Sequence, residues 1–244
     1  MKILYFDQLE STNNYCKLLD LDSVEEFTVI CARSQTAGIG QQGNRWESEP
    51  YKNLTFSFIL KPTFLSAADQ YELTIALALA VTDLLDHELC RDDITIKWPN
   101  DVYVGHRKIC GTLVSCQLYQ GVLANAICGV GLNVNQTLFP SWVPNPVSMA
   151  QVDGKTRELE PLLERLMDHI TRYYRRLQDG DDSLRGAYLK RLYRTGCPAS
   201  YEYQGKIVEA TITGIDHYGH LLLTCSDGTP LSCGMKEIRF LLPQ

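Results

Sequence analysis

The run Lys97-Trp98-Pro99-Asn100-Asp101 is followed closely by Arg107-Lys108-Ile109-Cys110-Gly111-Thr112-Leu113. Together they offer fixed positive charge, oxygens able to hold a hard cation, and a glycine that lets a ligand approach the backbone. That set suits chemistry on a phosphate. Read alone, Lys97 is equally a surface strand lysine and Asn100-Asp101 a plain turn. Upstream, Ser11-Thr12-Asn13 gathers three short polar side chains, and Gly38-Ile39-Gly40-Gln41-Gln42-Gly43 spells a literal G-x-G-x-x-G. Its context rejects dinucleotide binding. Asn44–Pro50 is a charged segment ending in proline where a helix should open, and no acidic ribose partner sits about twenty positions on. The loop is then either a flexible surface segment or a lid that closes on a ligand through its backbone N–H groups. Other constellations fail. His217-x-x-His220 lies on a glycine turn, Cys225 and Cys233 lack metal-ligand spacing, and no G-x-S-x-G elbow occurs. Tyr173-Tyr174 with Arg172, Arg175 and Arg176 reads as the buried and solvated faces of one helix.

Composition bounds the class. The chain has 244 residues, 45% hydrophobic and 21% charged, with a net charge of −6. It is long enough for one substantial core plus a small second domain. The acidic balance argues against a nucleic-acid partner, which would demand a basic face. Nine scattered cysteines without a C-x-x-C pair read as reduced, mostly buried thiols. The N-terminus has no apolar signal core and no stretch reaches transmembrane length, so a cytoplasmic location without membrane contact is expected.

The elements that must carry these residues follow from periodicity. The first six residues alternate as a strand, and Ser11-Thr12-Asn13 can cap a short helix bearing Tyr15, Leu18 and Leu19. Strands are expected near 27–32, 54–60, 94–98, 102–104, 107–118 and 122–132, with Gln120-Gly121 as a turn. Helical spacing runs from Ser66 to Leu89, from about Glu158 to Gln178, and over 182–193. Strict strand–helix alternation is missing, which predicts an α+β fold with a mixed or largely antiparallel sheet and packed helices. Beyond Arg194 only short strands remain: Ala199–Tyr203, Ile207–Ile215, Leu221–Cys225 and Ile238–Leu242. They predict a small SH3-like β-barrel. The boundaries are therefore 1–194 and 195–244.

The ordered motifs resemble the biotin protein ligases. Gln35, Gly38, Gly40, Gly43 and Trp46 keep the register of that family's glycine–arginine loop. Ser11-Thr12-Asn13, Lys97–Asp101, Arg107-Lys108 with Gly111, and Gly129-Val130-Gly131-Leu132-Asn133 match further motifs in order. Glu237-Ile238-Arg239 looks like the closing strand. The resemblance implies activation of biotin by ATP to biotinyl-5'-AMP, then transfer to a lysine of a biotin carboxyl carrier domain. It assigns Lys108, Lys97 and Asp101 to catalysis, with Asp101 also the Mg²⁺-associated carboxylate. It assigns Ser11, Thr12, Asn13, Gln35, Gly38, Ile39, Gly40, Gln41, Trp46, Lys108, Gly111 and Leu113 to biotin, and Lys97, Asn100, Arg107, Asn133 and Arg239 to the nucleotide. Mg²⁺ is the implied cofactor, and ATP and biotin the substrates. The implied partner is the carrier domain of a biotin-dependent carboxylase, and a homodimer is left open. A short form lacking the N-terminal DNA-binding domain of some members is expected. One departure stands out: Ile39, Gln41 and Asn44 replace loop arginines, and only Arg45 is basic. That loss motivates an alternative, a non-catalytic binder of biotin or biotinyl-adenylate. The signature of lipoate-transferring relatives, Arg-Arg-x-x-Gly-Gly-Gly, is missing.

Overall fold

The computed structural model describes residues 1–241. Its first part is a seven-stranded sheet in the order β1-β2-β3-β7-β6-β5-β4, built from Lys2–Phe6, Thr28–Ala32, Leu54–Leu60, Val122–Leu132, Arg107–Tyr119, Asp101–Val104 and Ile94–Lys97 respectively. The β1–β2 pair is parallel and the other pairs are antiparallel, a mixed sheet as expected. Every residue of β3 (Leu-Thr-Phe-Ser-Phe-Ile-Leu) is buried, so both of its faces are covered.

One face carries the long helices α2 (Tyr71–Leu89) and α4 (Leu159–Gln178). In α4, Leu162, Leu163, Leu166, Met167, Ile170 and Tyr174 make the buried stripe that helical spacing requires. Helix α2 is buried nearly all round and ends at Cys90, in the left-handed region at φ 51°. It starts at Tyr71, later than the spacing predicts. Ser66 is held in a bridge to Val122 and a 3-10 turn fills Ala67–Asp69. The opposite face holds the short helix α1 (Thr12–Lys17), with Cys16 packed near Ile30, Ile59 and Ile127. A short helix that the sequence reading omits, α3 (Met149–Asp153), starts from a capping box between Ser148 and Gln151. Helix α5 (Ser183–Lys190) stops before the expected residue 193. There Ile96 N–H donates to Arg191 O and Tyr193 N–H donates to Ile96 O, so the chain joins the edge of β4.

The C-terminal part is a five-stranded antiparallel sheet in the order β11-β10-β9-β8-β12: Pro230–Cys233, Leu221–Cys225, Lys206–Ile215, Pro198–Tyr203 and Ile238–Phe240. Among the described residues the pairing is that of a five-stranded antiparallel sheet, with β11 and β12 at opposite ends of the order. Strand β11 was not foreseen, and Leu242, the expected end of the last strand, lies outside the described residues. Tyr201, Ile212, Leu221 and Phe240 of this sheet share one core with Tyr71, Ile75, Leu79 and Trp98 of the first part. All nine cysteines are free, five of them buried, and burial pushes the Cys16 thiol up to about 12. Among the described residues no helix is long and apolar enough to cross a membrane.

Candidate active site

The polar triplet does two jobs. Ser11 caps α1, its Oγ accepting from Asn14 N–H, while Thr12 N–H donates to Gln35 Oε1 at 2.8 Å. Thr12 Oγ1 lies 2.9 Å from Ser57 Oγ of β3. Asn13 is 3% exposed, yet neither its Nδ2 nor its Oδ1 has a protein partner. A buried amide left with both a donor and an acceptor free demands a ligand or water that offers the complement. Beneath it, Gly111 of β6 and Gly129 and Gly131 of β7 leave a floor of bare backbone, and Leu113 of β6 lines the cavity beside them.

The glycine loop folds over this floor as a tight hairpin. Trp46 N–H donates to Gly38 O at 2.9 Å and Gly40 N–H donates to Asn44 O at 2.6 Å. Gly38 is required sterically, since a Cβ there would stand 2.6 Å from Trp46 O. The indole lies on Gly131, where a Cβ would come within 2.3 Å of the Trp46 ring, and Trp46 Nε1 is buried without a partner. The cavity beneath is only about 40 Å³. That admits a few waters but no bicyclic ligand, so the loop and its tryptophan have to move for one to enter. Ile39, Gly40 and Gln41 line the cavity. The Gln41 amide turns away to Met235, its Nε2 donating to the sulfur at 2.8 Å.

A larger cleft of about 840 Å³ adjoins this cavity. Gly40, Gln41, Trp46, Asn100 and Lys108 border both, so Lys108 stands where the two meet. Its Nζ is 2.6 Å from Asp101 Oδ1 and 5.4 Å from the centre of the Trp46 ring. Lys97 lies deeper, with Nζ 4.7 Å from the Phe240 ring and 5.6 Å from that of Tyr103. Burial lowers the Lys97 ammonium pKa; the Asp101 carboxylate opposes this and the Lys108 charge adds to it. The Trp98–Pro99 bond is cis. Asn100 Nδ2 donates to Thr112 O, and Thr112 N–H returns a bond to Asn100 O at 2.9 Å, so Asn100 fastens the turn to β6. Asn133 Nδ2 donates to Val147 O at 3.0 Å, while its buried Oδ1 has no partner.

Two expected nucleotide residues sit differently. Arg107 is exposed and borders neither cavity: adjacent strand residues point to opposite faces, so Lys108 inward sends Arg107 outward. Arg239 does border the cleft but is 72% exposed at its side chain and already paired with Glu202. Gly38 supports the hairpin and does not line the cavity. Residues that sequence reasoning missed include Phe56, Ser57 and Thr112 on the inner cavity, and Trp142, Met235 and Phe240 on the cleft. No local signal marked Ser57, since every residue of β3 is buried.

The model of the biotin/lipoate A/B protein ligase family matches residues 5–133. A biotin–[acetyl-CoA-carboxylase] ligase of Paracoccus denitrificans is 32% identical over 205 residues, 80% of this chain and 82% of that protein. A bifunctional ligase/repressor BirA of Bacillus subtilis is 28% identical over 178 residues, 71% of this chain. The alignment spans 54% of that relative, about half its length. In fold, the chain is similar to the biotin protein ligase of Aquifex aeolicus solved with biotin and ATP, at a TM-score of 0.82 and 22% identity, covering 98% of this chain and 99% of that one.

Proposed function

Since the chain belongs to the biotin/lipoate A/B protein ligase family, we propose that it activates biotin with ATP and transfers the biotinyl group to a lysine of a biotin carboxyl carrier domain. One observation carries the reading: Lys108 stands at the junction of a small cavity holding the unpaired Asn13 amide and a large cleft. A cyclic urea offers both the donor and the acceptor that Asn13 lacks, with Thr12 and Gln35 beside it. The valerate tail then runs over Gly111 toward Lys108.

In the first step a carboxylate oxygen attacks the α-phosphorus, forming a P–O bond and expelling pyrophosphate. Two anions must meet. An ammonium at about 4 Å offers roughly 4 kcal/mol per anionic oxygen at an effective dielectric near 20, before desolvation. In this reading Lys108, at the junction of cavity and cleft, supplies that charge, and Lys97 on the cleft adds to it. In the second step an acceptor lysine, as the free amine, attacks the acyl carbon and AMP leaves with the bonding pair. Keeping water from the mixed anhydride falls to the loop and Trp46.

Mg²⁺ carried on phosphates takes one or two protein carboxylates and keeps several waters. Asp101 on the cleft wall suits that demand, whereas no cluster of three or more metal-binding side chains exists among the described residues. Bound there, the ion would neutralise phosphate charge. The missing loop arginines favour a second reading, a binder that holds biotin or its adenylate without turnover. Incubation with biotin, Mg-ATP and a carrier domain separates the two. Pyrophosphate release with a biotinyl mass increase on one carrier lysine supports the ligase; binding without either supports the second reading.

A further inference from the structure

The Lys97–Asp101 turn is tied to two residues that border neither cavity. Tyr71 opens α2 and is 4% exposed. Its hydroxyl donates to Pro99 O at 3.0 Å and lies 2.9 Å from Tyr188 Oη of α5. A phenol has one hydrogen, and with Pro99 taking it, Tyr188 has to donate to Tyr71. Burial raises the Tyr71 phenol well above its ordinary pKa, so the donor proton is retained at any working pH. The second tie is Gly219, in the turn between β9 and β10. Its carbonyl accepts from Trp98 Nε1 at 2.8 Å. Gly219 has φ +86°, and a Cβ there would stand 2.2 Å from the Tyr71 ring. The C-terminal sheet thus presses its turn onto the Tyr71 ring while gripping Trp98.

Most buried tyrosines only satisfy their own hydroxyls. This one bonds the carbonyl of the peptide that leads from Pro99 into Asn100, and Asn100 in turn fastens the turn to Thr112 of the cavity wall. Orienting that peptide sets where Lys97 and Asp101 stand on either side of it. A shift of about 1 Å in such groups can cost on the order of 10²-fold in rate.

We infer that Tyr71 is a positioning residue for the nucleotide side of the reaction: held by Tyr188 and by the Gly219 turn, its hydroxyl fixes the Pro99–Asn100 peptide and so aligns Lys97 and Asp101 with the phosphates. The inference rests on the biotin-activating reading of the site. Its test compares the full-length wild type with Tyr71→Phe and Tyr188→Phe. Tyr71→Phe keeps the ring against Gly219 and loses both the tie to Pro99 and the bond from Tyr188, and only the first of these is spared in Tyr188→Phe. It should raise the KM for ATP and lower kcat for pyrophosphate release by about three- to tenfold together, the range that one neutral hydrogen bond commands. Biotin affinity should stay within about twofold. Tyr188→Phe removes a comparable buried hydroxyl but spares Pro99, so it should shift Tm by a similar amount while leaving the ATP constants within about twofold. The inference is overturned if Tyr71→Phe leaves the ATP constants unchanged, if Tyr188→Phe moves them as much, if biotin and ATP binding fall together, or if Tyr71→Phe loses its cooperative melt. Should the wild type release no pyrophosphate, the ligase reading fails instead. ATP dissociation constants from calorimetry on the same proteins then decide: weakening confined to Tyr71→Phe supports positioning, and equal affinities refute it.

Discussion

Lys108 Nζ and Asp101 Oδ1 stand 2.6 Å apart, joined across two neighbouring antiparallel strands. The strand register places Asp101 opposite Gly111, not opposite Lys108, so the lysine side chain bends along β6 to reach it. It passes directly over Gly111, where a Cβ would meet Lys108 Cε and Nζ at 3.2 Å. A side chain at 111 would push the lysine aside by a few tenths of an ångström and crowd the ion pair. The pair holds the ammonium at the junction of cavity and cleft before any anion arrives.

Lys108→Ala should reduce adenylate formation by on the order of 10²-fold or more, because carboxylate–phosphate repulsion is no longer offset. The side chain is partly exposed, so Tm should change little. Pyrophosphate release at the wild-type rate would remove Lys108 from the chemistry.

Gly131→Ala would place a methyl group within 2.3 Å of the Trp46 ring. The strand can accept alanine, but the indole cannot keep its seat. Overpacking of this kind costs about 1–3 kcal/mol, and the cost falls on the ligand-free seat of Trp46, which a ligand has to displace. Biotin affinity by calorimetry should rise by up to about tenfold with the melt still cooperative. Unchanged affinity would show that the ligand does not have to move Trp46 from its seat.

Gln41→Arg should restore a charge-assisted contact to the intermediate, worth about 1.5–3 kcal/mol. The present glutamine spends its amide on Met235, a weak acceptor. Release of preformed biotinyl-adenylate in a chase experiment should slow by roughly tenfold or more. An unchanged or faster off-rate with the loop closed would mean that the position does not grip the adenylate.

Lys97 gives a pH signature. Burial lowers its folded pKa, so its charge, and with it the affinity for ATP, should fade at a pH below the ordinary lysine value of about 10.4. Lys97→Arg stays charged and should move that alkaline limb upward. Stability follows the same group. Between the lowered folded pKa and the unfolded one, the unfolded chain binds more protons, so the Lys97 contribution to stability rises with pH across that window. An alkaline limb at the same pH in wild type and Lys97→Arg would assign it to another residue.

Much of this arrangement was legible in the residues. Ser11 caps α1 ahead of Thr12 and Asn13, the loop glycines shape a hairpin, and Lys97 and Asp101 flank the turn between β4 and β5, places where side-chain identity is dictated locally. Ser57 and Phe56 escaped because β3 is buried on both faces and its pattern carries no mark of which side meets a ligand. Arg107, expected at the nucleotide, is exposed and borders neither cavity, because successive strand residues point to opposite faces and Lys108 takes the inward one. Helix α3 had a visible sign, serine at 148 with glutamine three residues on, but its single turn lacks any apolar period. Trp142 and Met235 reach the cleft only through tertiary folding, and nothing local announces them.

The seat of Trp46 on Gly131 has a practical consequence. The chain contains three tryptophans, at 46, 98 and 142, and all three border the same cleft. Its tryptophan emission, excited selectively over tyrosine, therefore arises entirely from rings around one opening, with no distant indole to dilute the signal. Occupancy of the cavity and displacement of the loop can be followed in real time on the unlabelled protein. Trp46→Phe and Trp142→Phe would separate the optical contribution of the loop tryptophan from that of Trp142, whose ring lies under Arg45.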